Sequence, residues 1–175
     1  MAKQHIHIIK TGGTIEFEDP AYEEMNKKLM KMDTTIDSYI NNLINPLFTF
    51  SSVSLFKKDS RQINDEDREH LYNEILQTQH NLIVITHGTY TMAETGRFLK
   101  HRDTHGKTVV LMGSMIPISG FAISDAGFNL GYVIGVLPYL EPGVHLAAQG
   151  AIHDPDNVHK NDGDLRFEIT EQNGD

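Results

Sequence analysis

The sequence predicts an α/β fold: a mostly parallel, doubly wound sheet in three layers, with helices on both faces. Three observations predict it. Short apolar runs rich in Ile, Val and Leu recur at His5–Ile9, Leu82–Ile85, Val109–Met112 and Val144–Ala147, and near-continuous runs of this kind suit strands buried on both faces. Segments with helical spacing separate them. The first three runs each pass into a glycine-containing turn, at Gly12-Gly13, Gly88 and Gly113, as strands in βα units do. Strand alternating with helix implies parallel pairing through right-handed crossovers.

His5–Ile9 opens the sheet. The stretch from Ile15 to Met30, with Glu-Phe-Glu-Asp-Pro-Ala-Tyr-Glu-Glu inside it, has weak periodicity and reads as a mobile loop or lid. Thr34-Thr35-Ile36 starts a helix whose Ile36, Ile40, Leu43 and Ile44 share one face, and Val53–Phe56 is a further short apolar run. Asn64-Asp65-Glu66-Asp67 starts a second helix with Leu71, Ile75 and Leu76 on its core side; the acidic first turn complements the helix dipole. A third helix is expected from about Thr91 to Lys100 and a fourth from about Ser124 to Leu137, stopping before Pro138. The tail from Asn161 is polar. No repeat, low-complexity tract or linker divides the 175 residues, which read as one domain.

Composition narrows the chemistry. A chain of this length builds a core without disulfides or structural metal, and a cysteine count of zero removes disulfides, thiolate metal sites and thiol nucleophiles, in keeping with a cytoplasmic location. A formal charge of −9 disfavours a nucleic-acid partner, and the absence of any long apolar run disfavours a membrane partner. Among the histidines, the spacings His5-x-His7, His101-x3-His105 and His153-x5-His159 match no ligand set. The expectation is no metal, no cofactor and a small-molecule ligand.

Four constellations could carry chemistry. In Thr11-Gly12-Gly13-Thr14, two glycines let the backbone approach a ligand beside a threonine hydroxyl, or simply make a tight turn. In Thr86-His87-Gly88-Thr89-Tyr90-Thr91-Met92, Thr89 at a helix amino end could stabilise an oxyanion, or Thr89 or Thr91 could be a plain cap. Two strands that each finish in a Gly-Thr pair would be brought together by a parallel sheet. In Lys57-Lys58-Asp59-Ser60-Arg61-Gln62, Arg61 and Ser60 suit a carboxylate, or form a solvated turn. Lys160 suits a base or cation assisting a hydroxyl nucleophile, or lies in solvent.

The segments Thr11-Gly12-Gly13-Thr14-Ile15, Ile85–Met92, Gly113-Ser114-Met115-Ile116-Pro117 and Ser124-Asp125-Ala126-Gly127-Phe128-Asn129-Leu130 occur in the order and approximate spacing of the amino-terminal domain of bacterial-type L-asparaginases. From about Lys3 to about Lys160 the chain resembles that domain, and it is similar to the short, single-domain members in which the smaller carboxy-terminal domain is missing. The resemblance implies hydrolysis of the side-chain amide of L-asparagine to L-aspartate and ammonia through a threonine-bound acyl intermediate. On it, Thr14 matches the first nucleophilic threonine, Thr89 the second catalytic threonine and Lys160 the lysine that assists the latter, while Tyr22 stands for the lid tyrosine that activates the first. Ser60 matches a carboxylate binder, Arg61 stands at a glutamine position, and Gly13, Gly88 and Tyr90 complete the substrate-contacting set. Tyr90 replaces an aspartate that contacts the substrate amino group, leaving Glu16, Glu18 or Asp59 to supply the charge or Arg61 to dominate recognition. The resemblance also implies a homodimer or homotetramer. Glutamine or another small amide is an alternative substrate, since one methylene discriminates weakly; a noncatalytic amino-acid binder is the alternative from another class.

Overall fold

The computed structural model describes residues 4–18, 20–22, 24 and 35–170. Six strands form the main sheet: β1 (His5–Gly12), β2 (Thr49–Lys58), β3 (Leu82–Thr86), β4 (Thr108–Met112), β5 (Gly143–Ala148) and β6 (Ala151–His153), in the order β2-β1-β3-β4-β5-β6. All neighbours pair parallel except β5 and β6. The register sets Ile9 opposite Val53 and Ile85, Ile85 opposite Leu111, and Leu111 opposite Leu146. The fold class read from the sequence is borne out.

Among the described residues four helices cover the two faces: α1 (Ile36–Ser38, running on as a π-helical turn over Tyr39–Ile44), α2 (Asp65–Gln77), α3 (Met92–Lys100) and α4 (Ala126–Val136). Alternation along each strand sends one set of side chains to each side. Ile9, Ile83, Ile85, Val109 and Leu111 pack against Leu71 and Ile75 of α2 and Met92 and Leu99 of α3. Ile6, Ile8, Val84, Val110 and Met112 meet Ile36 and Ile40 of α1 and Leu130 and Val133 of α4. Helix α2 begins with a reciprocal cap, Asn64 Oδ1 accepting from the Asp67 N–H (3.0 Å) and Asp67 Oδ2 from the Asn64 N–H (3.1 Å), which satisfies two N–H groups with no intrahelical partner.

The sequence expectations need four corrections. Leu43 and Ile44 are exposed rather than core-facing: the Asn45 N–H donates to the Ile40 carbonyl (3.0 Å), and this wider turn takes the later residues off the face begun by Ile36. Strand β2 is longer than the Val53–Phe56 run, because its alternating serines are tolerated on an edge that is half-exposed. The polar tail contains a hairpin, β7 (Val158–Asn161) with β8 (Arg166–Ile169), seated by Phe167 in the core and by Gln149, whose Oε1 accepts from the Phe167 N–H (3.2 Å). Finally, the crossovers do not share one hand. The steps β3 to β4 and β4 to β5 run in the same direction, yet α3 packs on one face and α4 on the other. Helices α1 and α2 agree in hand with α3, so β4–α4–β5 is the left-handed exception to a strong rule.

The strand order reverses between β1 and β3, since β1 is followed by β2 on one side and β3 lies on the other. Such a reversal opens a crevice beyond the carboxyl ends of those two strands. Among the described residues no helix is long and apolar enough to cross a membrane.

Candidate functional site

The crevice at the reversal is where the Gly-Thr turns of β1 and β3 meet. Gly13 has φ 78°, open to glycine at little cost, and a Cβ built on it would stand 2.4 Å from both the Cα and the N of Gly88. A Cβ on Gly88 would in turn lie 2.7 Å from the Cβ and Oγ of Ser60. The exits of β1 and β3 are therefore stacked backbone on backbone, with the Ser60 side chain from the exit of β2 packed against Gly88, which only glycine at positions 13 and 88 allows. Thr14 follows in a single 3-10 turn, Thr14–Glu16, and lines a cleft of about 590 Å³ with Gly12, Gly13, Glu16, Lys57 and Asp59.

Thr89 is 6% exposed, and its hydroxyl points to Met115 Sδ at 3.8 Å. It stands ahead of α3 rather than capping it. The cap position belongs to Thr91, whose hydroxyl makes no cap hydrogen bond and instead donates to the Ser60 carbonyl (2.7 Å). Ser60 is 1% exposed, and its own hydroxyl has no hydrogen-bond partner among the described residues. Arg61 does not present an open fork: its Nε and Nη2 donate to the two oxygens of Asp59 (3.0 and 2.8 Å). Those bonds hold the Asp59 carboxyl down at about 2.

Lys160 arrives on β7, with Nζ 3.7 Å from the Tyr90 ring centroid and 3.3 Å from Asp162 Oδ1. The Arg61 guanidinium carbon lies 4.7 Å from the same centroid. Thr14, Thr89, Ser60, Arg61, Tyr90, Lys160, Gly13 and Gly88 thus come from separate strand ends to one end of the sheet and its appended hairpin. Tyr22 is half-buried in a helical turn over 20–22, while residues 19, 23 and 25–30 of the loop read from the sequence lie outside the described residues.

Besides Glu16, which the sequence reading offers as a source of charge, several residues that hold this arrangement carry no role in it. The Thr11 hydroxyl donates to the Thr86 carbonyl (2.7 Å), and the Thr86 hydroxyl donates to Glu16 Oε1. Burial pushes the Glu16 carboxyl up, opposed by that hydrogen bond, by Lys10 and by the Gly12 N–H. Asp125 accepts from the Met115 and Ile116 N–H groups (3.0 Å each), and Asn129 Nδ2 donates to the Gly113 carbonyl (3.0 Å). Together they fix the β4 exit against Thr89. The i, i+4 spacing of Asp125 and Asn129 was the available signal, since it puts both at one helix start. His87 is fully buried, with Nδ1 donating to the Gly88 carbonyl (2.7 Å), and burial lowers its pKa to about 4. His5 and His7 lie at the far end of β1 and both contact Ser51. Among the described residues no group of three or more His, Asp or Glu is arranged to hold a metal ion.

Comparison with known proteins fits this geometry. The family model described as Asparaginase, N-terminal matches residues 5–171. The chain is 29% identical over 134 residues to a glutaminase-asparaginase of Acinetobacter glutaminasificans, covering 73% of this chain and 40% of that protein. It is similar to the crystal structure of a probable cytoplasmic L-asparaginase from Campylobacter jejuni (TM-score 0.74, 30% identity, 90% of this chain and 48% of that one). It is also similar to L-asparaginase I from Vibrio cholerae O1 biovar eltor (TM-score 0.75, 28% identity, 96% and 52%). The thermostable L-asparaginase from Thermococcus kodakarensis shares the fold (TM-score 0.75, 24% identity, 95% and 51%). The chain spans about half the length of these solved relatives. With the family match running from the first strand through the terminal hairpin, the chain belongs to the asparaginase family and corresponds to its N-terminal domain.

Proposed function

We propose that the chain is an amidohydrolase that converts L-asparagine to L-aspartate and ammonia. The observation that carries the reading is the backbone contact of Gly13 with Gly88, which sets the turns bearing Thr14 and Thr89 against each other above Ser60. In the proposed reaction the Thr14 hydroxyl oxygen attacks the amide carbon, its proton is passed on to the amide nitrogen, and the C–N bond breaks so that ammonia leaves as the acyl–threonine ester forms. Water then cleaves the ester, returning the proton to Thr14 and releasing the carboxylic acid. Thr89 with Lys160 forms the second hydroxyl and cation pair, and Tyr22 is the candidate to relay the Thr14 proton to the leaving nitrogen, its phenol giving up one proton as it takes the other. The backbone N–H of Thr89 serves as an oxyanion donor, a contribution of about 3 kcal/mol where such a donor is preorganised, while that of Gly13 is committed to the Lys58 carbonyl (3.0 Å).

The buried, unpartnered hydroxyl of Ser60 suits a substrate carboxylate, and Arg61 would add to it by exchanging Asp59 for that carboxylate. Glu16, lining the same cleft as Thr14, is the candidate partner for the substrate ammonium group. We further infer that the domain works as one unit in a homodimer or homotetramer; the exposed Phe128 on α4 and Ile123 just ahead of it support such association. The lack of cysteine and the likeness to a structure titled as a probable cytoplasmic enzyme support a cytoplasmic location.

Ammonia release from L-asparagine, L-glutamine and D-asparagine, with Thr14→Val and Thr89→Val beside the wild type, tests the reading. Release from L-asparagine that both substitutions abolish is expected. Intact turnover in either variant overturns the assignment of threonines. A second reading, a noncatalytic amino-acid binder, draws on Tyr90, a neutral ring where a charge is expected of the family. Binding of aspartate by a folded protein that releases no ammonia from any amide would establish it instead.

A further inference from the structure

We propose that the aromatic ring of Tyr90 is the positioning residue for the Lys160 ammonium group, and that it acts through its π face rather than its hydroxyl. This inference rests on the amidohydrolase reading and names the partner that holds its lysine. Tyr90 directly follows Thr89, so what the ring holds is held beside the Thr89 turn. Lys160 Nζ stands 3.7 Å from the ring centroid, and only 5% of the lysine side chain reaches solvent, while Tyr90 itself is 47% exposed. An ammonium group withdrawn that far from water needs replacement partners. The electron-rich ring face supplies one, and Asp162 at 3.3 Å supplies the other.

The hairpin that carries Lys160 is a separate two-stranded sheet, so no ladder hydrogen bond of the main sheet fixes where the ammonium group sits. Among the described residues its contacts are Asp162 from its own hairpin and Tyr90 from the threonine turn. Phe167 and Gln149 seat the hairpin as a whole, and Tyr90 is the link from the threonine turn to the ammonium group itself. Arg61 shares the ring at 4.7 Å but is already matched by Asp59 through two hydrogen bonds. A chain of Asp59, Arg61, Tyr90, Lys160 and Asp162 thereby joins the exits of β2 and β3 to the hairpin. A neutral ring accommodates both cations without adding a third carboxylate to the set.

The experiment compares wild type, Tyr90→Phe and Tyr90→Leu by steady-state ammonia release and by the rate at which an acetylating reagent labels the Lys160 amine, read by mass spectrometry. Tyr90→Leu is expected to lower kcat about tenfold with KM nearly unchanged, and to raise the labelling rate of Lys160 by a similar factor. Tyr90→Phe, which keeps the ring and loses the hydroxyl, is expected to recover both. In a Lys160→Met background the Phe and Leu variants should have equal kcat. Equal labelling of Lys160 in all three proteins, equal kcat for Phe and Leu, or a change confined to KM overturns the proposal. If the wild type hydrolyses no amide, the amidohydrolase reading falls, and the labelling decides alone: slow in wild type and Phe but fast in Leu upholds the ring as the holder of Lys160, and equal rates reject it.

Discussion

The hydroxyl of Thr91 donates to the backbone carbonyl of Ser60 at 2.7 Å, stitching the exit of β3 to the exit of β2. Thr91→Val keeps the shape and removes the donor. The substitution is expected to cost about 1–2 kcal/mol in urea unfolding. It should also raise KM for the amide more than it lowers kcat, because the residue it releases is the buried serine.

Asp125 bears on the proposed chemistry at one remove. Its carboxylate takes the N–H groups of Met115 and Ile116, and Met115 meets the Thr89 hydroxyl. Asp125→Ala leaves those donors unpaired, at a cost of about 2–3 kcal/mol. Thermal unfolding should report the loss of stability, and single-turnover kinetics should show slower chemistry with substrate affinity little altered.

His87 makes stability depend on pH. Its pKa falls from 6.5 to about 4 because burial disfavours the charged ring. Between those values the unfolded chain binds a proton that the folded chain does not, so this contribution is complete above 6.5 and is lost as pH falls toward 4. At about 1.4 kcal/mol per unit, the difference approaches 3 kcal/mol. Urea unfolding from pH 7 to 4 should show the slope in wild type, and a shallower one in His87→Gln.

Lys107 provides the contrast. Its buried ammonium group donates to the carbonyls of Ile75 and Leu76 (2.9 and 3.3 Å) and of Thr78, closing the carboxyl end of α2. It precedes β4, at the end of the sheet away from the threonines. Lys107→Met should cost about 2–3 kcal/mol while leaving turnover per folded molecule unchanged, measured as kcat corrected for the folded fraction.

The parallel sheet was legible because buried strands carry their signal locally: Ile83 to Ile85 and Val109 to Leu111 are apolar on both faces. The approach of the two Gly-Thr turns was legible for the same reason, since Gly13 and Gly88 each lie just past such a strand. What escaped was set by distant contacts. Strand β8 is held by Gln149 and by burial of Phe167, and nothing in a polar run around Asn161 announces that. The crossing of α4 to the other face depends on the passage through Ile118–Ile123, where Phe121 adopts φ 41°. No hydrophobic period encodes that turn. The engagement of Arg61 with Asp59 is a choice among nearby carboxylates that spacing leaves open.

The hairpin placement of Lys160 also sets an order in time. During synthesis both threonine turns leave the ribosome before the lysine does, so the sheet and the Gly13–Gly88 contact can form ahead of it. An emerging chain would hold its hydroxyls in place while still lacking the cation proposed to assist them, and activity would switch on only as the hairpin docks beside Tyr90.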